Sequence, residues 1–340
     1  MKKLSILMLA LVVLSLVVPT YAAGVKKFAQ AGMTFLKIEP SARSAGMGCA
    51  SSANIFDASA MFSNVALMSY VQGFDLSLSQ TNWIADIKHT SGAIAWGHET
   101  WGTFGVSFIK MDYGTMIETF PWTDNTNVEL FEAGYYFGRE FEPSEYSIGV
   151  SYARRVTNQF SFGGSVKLVH QDLFESLMRH ETLGDIEVTN KQDIRAFDFG
   201  TAYYTGYKDL RVTMSVRNFS NQGKYVTQRF ELPLNFTIGT AMDVMQLFSN
   251  EKQMKLTLAM DWLHPRDYTE RIHFGAEWGF MDMLFLRGGY KFNYDEESFS
   301  GGLGFTKEFG NLGLRVDYSY SDFGEFFDAV NRLTLGLSFK

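Results

Sequence analysis

Charged residues recur at two-residue spacing through the C-terminal half: Arg271, His273 and Glu277, then Arg287 and Lys291, then Arg315 and Asp317. Arg211, Arg217, Lys255 and Asp261 continue the pattern upstream. Side chains of an extended chain alternate between two faces, so each set projects from one side of its segment. Mixed signs on adjacent strands suit either a paired network that fixes a wall or the lining of a permeation path. Catalytic spacing is absent from the sequence. The six histidines (His89, His98, His170, His180, His264 and His273) include no i, i+4 helical pair and none beside Cys or paired acids. "GMGCAS" (46–51) has two glycines of a dinucleotide fingerprint but neither the preceding strand nor the third glycine. Ser249 and Lys252 show S-x-x-K spacing without companion motifs, and no G-x-S-x-G elbow occurs. The sequence is therefore read as non-enzymatic, with no catalytic residue, metal or cofactor assigned.

The elements that position these charges are alternating segments. Ile272, Phe274, Ala276, Trp278 and Phe280 oppose Arg271, His273, Gly275 and Glu277. Leu312, Leu314, Val316, Tyr318 and Tyr320 oppose Gly313, Arg315, Asp317 and Ser319. The chain ends on "RLTLGLSFK", where Leu333, Leu335, Leu337 and Phe339 share one face and Thr334, Gly336 and Ser338 the other. A soluble sandwich also alternates. These segments, however, run to about ten residues, the length that crosses a bilayer at a tilt. Charges facing lipid would cost roughly 2–4 kcal/mol at the midplane, which places them inside.

Composition agrees. Aromatics make up 16% of residues and Phe alone numbers 31, against only 6 prolines, as long strands with aromatic girdles require. The net charge is −7 and no basic cluster interleaves with aromatics, so nucleic acid is excluded as a partner. The single Cys49 rules out an intramolecular disulfide. Lys2 and Lys3, an apolar run from Leu4 to Val18, and Thr20 and Ala22 at −3 and −1 read as a signal peptide over 1–22; an uncleaved helical anchor would need a longer run.

These features predict an all-β fold: a transmembrane antiparallel β-barrel of about fourteen strands in the bacterial outer membrane. The strands fall near 73–80, 86–97, 103–119, 145–156, 159–171, 193–205, 209–219, 231–243, 252–263, 269–280, 283–293, 298–309, 312–321 and 331–339. Residues 127–138 alternate weakly and are placed with 120–144 in an outer-loop excursion, because single-chain barrels have even strand numbers. Short connections at 156–159, 206–209, 280–282 and 309–311 mostly alternate with long ones at 171–192, 219–230 and 321–330. Residues 243–251 break the rule. The last strand must pair with the first, since an open edge cannot remain in lipid. Gly163-Gly164 marks a possible kink.

Residues 23–71 form a segment of different character, before a barrel over 72–340. From Gly32 to Tyr70 the segment is rich in Ala, Ser, Gly and Met and does not alternate. It is read as a plug inside the lumen, with Arg43 or Asp57 pairing with wall charges; a periplasmic arm is the alternative.

"FLKIEPSARSAGMGCASSA" followed by "DASAMFSNVAL" resembles the start of the PorV/PorQ family, whose barrels are similar to the FadL long-chain fatty acid transporters. The signature residues are Pro40, Ser41, Ala42, Arg43, Gly46, Met47 and Gly48, with the family's Asn-Pro-Ala present as Asn64, Val65 and Ala66. "LRGGYKFNYDEESFSGGLGF" and "VDYSYSDFGEFFDAVNRLTLGLSF" resemble the family's closing strands. The final strand resembles the assembly signal of outer-membrane proteins, departing from it in that Lys340 follows Phe339. The resemblance implies an outer-membrane component of type IX secretion, in which outer loops and lumen mouth recognise a secretion-machinery protein or exported cargo. The candidate loops are 120–144, 171–192 and 219–230. The FadL-like architecture implies the alternative, transport of a hydrophobic small molecule. Outer-membrane lipid surrounds the wall in either case.

Overall fold

A computed structural model places fourteen strands in one closed antiparallel barrel. It describes residues 31–121, 134–180, 184–225, 228–248 and 253–340, and the backbone alone at 176–180 and 184–186. The signal-peptide reading of 1–22 and the Ser249/Lys252 pair fall outside the described residues.

The wall strands are Gly73–Asn82 (β1), Lys88–His98 (β2), Gly102–Asp112 (β3), Ser144–Arg155 (β6), Phe160–His180 (β7), Gly184–Tyr204 (β8), Arg211–Ser220 (β9), Asn235–Asp243 (β12), Met254–Pro265 (β13), Arg271–Phe280 (β14), Leu284–Phe292 (β15), Phe299–Phe309 (β16), Leu312–Ser321 (β17) and Val330–Phe339 (β18). Two hairpins stand outside the ring: Met116–Pro121 (β4) with Tyr135–Phe141 (β5), and Gly223–Tyr225 (β10) with Gln228–Phe230 (β11). Closure joins β1 to β18 from Phe74↔Phe339 to Asn82↔Asn331. Within the ring every wall strand has a paired neighbour on both sides, as a sheet in lipid requires.

The alternation resolves into two surfaces. Phe74, Leu78, Ile94, Trp96, Val106 and Val150 point outward, as do Leu333, Leu335, Leu337 and Phe339 of β18. Ser77, Ser79, Thr81, Ser91, Ser107, Thr213, Ser319 and Thr334 point inward and are buried. Both chain-terminal strand ends, at Gly73 and Phe339, lie with the short turns, the periplasmic end of such a barrel. At one of those turns Met281 and Asp282 both take φ of 54°, the mirror-image form whose twist matches paired strands.

What the small inward side chains cover is residues 31–72. This inner segment contains one α-helical turn, Ala42–Gly46 (α1), and 3₁₀ turns at Thr34–Lys37, Ala58–Phe62 and Val65–Tyr70. Three of these turns begin at a capping residue. The Ser41 hydroxyl accepts from Ser44 N, Asp57 Oδ1 accepts from Ser59 N at 2.8 Å, and Asn64 Oδ1 accepts from Ala66 N at 3.1 Å. The core lies in the lumen. Met33, Phe35, Leu36 and Ile38 pack on Ile109, Met111, Val169 and Ile194. Ile55, Met61, Val65, Leu67 and Met68 pack on Ala93, Ala95, Ala153 and Ala202. Fully burying a Met or Leu stabilises by about 1.5–3 kcal/mol.

Inward glycines let the segment approach the wall backbone. A Cβ at Gly275, Gly289 or Gly302 would reach the backbone of Met47, Gly48 or Gly46 at about 3 Å or less. Gly163 likewise lies against the Val65–Ala66 peptide, so it serves close packing, and the strand stays paired on both sides through Gly163 and Gly164. The run 103–119 also divides. β3 ends at Asp112 and β4 begins at Met116, with Gly114 between them at φ +67°.

Candidate functional site

The predicted lumen charges separate into two groups. Glu277, Arg287, Arg315 and Asp317 form a ladder across the inner faces of β14, β15 and β17, completed by two residues of the inner segment. Arg43 donates Nε and Nη2 to Glu277 at 3.0 and 2.8 Å. Arg287 donates Nε to Glu277 at 2.6 Å and Nη1 to Asp317 at 2.7 Å. Arg315 reaches Asp317 at 3.5 Å, Asp57 at 3.2 Å and Asp75 at 3.9 Å. Asp75 in turn accepts from Ala58 N at 2.8 Å. Burial alone would raise the Asp57 carboxyl, but Arg315 and Arg43 outweigh it and hold it below the ordinary carboxylate range.

Hydrogen bonds outside the ladder add to the attachment. Pro40 O accepts from Ser79 Oγ at 2.6 Å, and Ala42 N donates to Thr334 Oγ1 at 2.9 Å. Gly48 N donates to Ser300 Oγ at 3.0 Å, and Met47 is fully buried. Asn64 Nδ2 donates to Thr201 O at 3.2 Å. Ser51 N and Ser52 N both donate to Asp261 Oδ2. The residues of the amino-terminal signature thus include caps, close-approach glycines and wall contacts.

The second group, Arg271, His273 and Lys291, lies at the end with the long connections. There a chamber of about 140 Å³ opens above the inner segment. Lys291 pairs with Glu297, and Lys37 with Asp267. His273 shares a hydrogen with Tyr294 Oη at 2.7 Å, and its other ring nitrogen lies 3.2 Å from Cys49 O. The Arg271 guanidinium lies 4.3 Å from the Tyr268 ring and 3.9 Å from the Tyr294 ring. Lys291 holds the Glu297 carboxyl low against the opposing effect of burial. At the short-turn end a separate cleft of about 520 Å³ is lined by residues such as Gln72, His98 and Arg155. The two cavities share no lining residue.

At the end with the long connections the wall continues on one side. β6 pairs with β7 only as far as Ser144↔Asp172, whereas β7 and β8 pair onward to His180↔Gly184. Past a bulge at Leu173 and Phe174, six further residue pairs project about 20 Å at ordinary strand rise. The β4–β5 hairpin packs against this arm. Phe141 stacks on Phe174 at 5.1 Å, and Arg139 contacts Glu118, Glu187 and Glu175 at 3.3–3.9 Å. Arg139 is half exposed, so those ion pairs add little stability. Ile117, Tyr135 and Phe137 stay exposed on the hairpin, Phe137 at 63%.

Lys255 is not a lumen residue: it sits on the rim and pairs with Asp282 at 2.6 Å. Sequence reasoning missed Asp75, Arg332, Glu39 and Tyr294. Arg332 carried a usable signal, since it shares the inward parity of Thr334. Among the described residues, no group of three His, Cys, Asp or Glu side chains is placed to hold a metal ion.

The sequence model of a family described as "Type IX secretion system membrane protein PorP/SprF" matches residues 138–337, more than half of the chain. No curated protein sequence matches significantly. Among solved structures, the chain is similar to the Pseudomonas putida toluene transporter TodX, at TM-score 0.55 and 13% identity over 92% of this chain and 99% of that one. A Pseudomonas aeruginosa FadL homologue gives 0.51 and 12% over 93% and 98%. The CymD monoaromatic hydrocarbon channel gives 0.54 and 13% over 91% and 97%. At such identities the likeness is one of fold.

Proposed function

The chain belongs to the PorP/SprF family of type IX secretion system membrane proteins, and from that membership we propose that it serves protein export by recognition at its outer surface, without catalysis. Its place is the bacterial outer membrane. The observation that carries the proposal is the filled lumen. A segment bound to the wall through Arg43, Asp57 and close backbone contact makes the barrel a scaffold rather than an open pore. The surface left for work is the arm formed by β7, β8 and the β4–β5 hairpin, with its exposed Ile117, Tyr135 and Phe137. Its partner is a secretion-machinery protein or exported cargo.

The amino-terminal resemblance to the PorV/PorQ family lies outside the matched residues 138–337. We read 1–22 as an export signal, 23–71 as a plug and 72–340 as the barrel. The signature Pro40, Ser41, Arg43, Gly46, Met47, Gly48 and Asn64 is the plug's docking code.

The test is native mass spectrometry of the protein drawn from its own outer membrane in mild detergent, beside a variant with 116–141 replaced by a short Gly-Ser linker. A large membrane protein or secreted cargo should accompany the intact chain and be lost from the variant at unchanged barrel levels. Retention of the same partner by the variant would rule out the arm. The second reading is transport of a hydrophobic small molecule, supported by the likeness in fold to proteins described as a toluene transporter and a monoaromatic hydrocarbon channel. A bound acyl or aromatic molecule with no protein partner would favour it.

A further inference from the structure

We propose that the outer chamber binds a small organic carboxylate, gripped by Arg271 and Arg332. This goes beyond the secretion reading and stands or falls independently of it. Among the described residues, no carboxylate lies within ion-pair distance of Arg217, Arg271 or Arg332, although all three line the chamber. Arg332 is 2% exposed and donates only to Glu39 O and Ser321 Oγ, both at 3.0 Å. Arg217 donates to the Phe62 carbonyl. Among the described residues, the Arg271 side chain has no hydrogen-bond acceptor, its buried Nε included. The lysines of the same chamber are, by contrast, matched with Asp267 and Glu297.

Burying the Arg332 guanidinium with no carboxylate at ion-pair distance is costly, and a bound anion would offset that cost. The two tyrosine rings hold the Arg271 plane fixed, which suits the planar, bidentate geometry of a carboxylate. A second observation also points to a polar occupant. Ser63 Oγ and Asn235 Oδ1, on residues 7% and 9% exposed, line the chamber and have no hydrogen-bond partner. Asp261 accepts from Ser51 N, Ser52 N and Ser52 Oγ, and burial pushes the Glu39 carboxyl upward despite Arg217 and Arg332. Of the other acids that line the chamber, Glu297 and Asp267 pair with lysines, with Asp267 Oδ1 left over among the described residues.

Size and lining set the rest of the ligand. The chamber's 140 Å³ is close to the roughly 150 Å³ cavity that accepts benzene, so the guest has about six to ten non-hydrogen atoms. Leu36, Trp83 and Leu263 supply apolar walls for its body.

The probe is benzoate, with benzamide as its neutral counterpart, titrated calorimetrically into the full chain in mild detergent. Benzoate should bind saturably, with benzamide at least tenfold weaker. Arg271→Gln should weaken benzoate at least tenfold while keeping the heat-modifiable gel mobility of a folded barrel, because among the described residues the Arg271 side chain has no hydrogen-bond acceptor to lose. Cys49 gives a readout needing no variant. It is the sole cysteine, is partly exposed and lines the same chamber. Benzoate, but not benzamide, should slow its alkylation by N-ethylmaleimide. Equal effects of the two compounds, or neither saturable heat nor protection, would overturn the proposal.

Discussion

Replacing Arg43 with Ala tests whether the ion ladder holds the inner segment in place. Glu277 accepts three charge-assisted hydrogen bonds: two from Arg43, at 3.0 and 2.8 Å, and one from Arg287, at 2.6 Å. Each is worth about 1.5–3 kcal/mol, so the substitution removes about 3–6 kcal/mol of gross interaction. Glu277 retains Arg287 and is not left unpaired, and Arg43 regains hydration when the segment is free. The net loss should therefore sit near 3 kcal/mol, the low end for breaking a buried pair. That is about a hundredfold shift from docked toward released segment. Amide hydrogen exchange in detergent reads it directly. Protection over 41–70 should fall about a hundredfold while β1, β2 and β3 hold theirs. In a Glu277→Gln background Arg43→Ala should cost less, with a coupling of at least about 1.5 kcal/mol in the double-mutant cycle. Unchanged exchange over 41–70, or equal loosening of the wall, would refute the reasoning.

Three other outcomes are expected. Gly289→Val should destabilise the docked segment by about 1–3 kcal/mol, because its side chain meets the Met47–Gly48 backbone, whereas Gly288→Ala should be neutral in the same thermal melt. The Asp57 carboxyl is depressed in the folded state, so its stabilisation is full above its unfolded value of about 3.9 and fades as pH falls through the lower folded one. Proteolytic nicking of the segment should accordingly rise in acid, and a flat profile down to about pH 3 would contradict this. Deleting Phe339 and Lys340 removes the Phe74↔Phe339 rung of the closing pair and should lower the level of folded protein in outer membranes.

Strict alternation made the barrel legible, because lipid outside and a small-residue lining inside impose opposite demands on successive side chains. Where the wall leaves the membrane that contrast ends. The sequence therefore shows strands ending near 171 and resuming near 193, while β7 and β8 run on to His180 and from Gly184. Parity also placed Glu277, Arg287, Arg315 and Asp317 on the inner face. It did not reveal their partners, since Arg43 and Glu277 are 234 positions apart and only the closed register brings them together. Lys255 has the inward parity too, but its strand begins at Met254, so it sits at the rim and meets Asp282. The chamber was least legible, because Tyr268 and Tyr294 reach Arg271 from connections that carry no periodic signal.

The seating of α1 also has a consequence for assembly. The helical turn is made before any wall strand, yet it rests on β15, β16, β17 and β18, the last to be synthesised. Ala42 meets Thr334 across 292 positions of sequence. Contacts of such separation form late and slowly. The segment must therefore wait, unseated, for nearly the whole chain. The run of alanine, serine and glycine at 41–53, around α1, suits that interval, since it offers little apolar surface to neighbouring chains. Arrival of β18 then does two things at once: it completes the wall, and it supplies the last part of the surface on which the first-made residues settle.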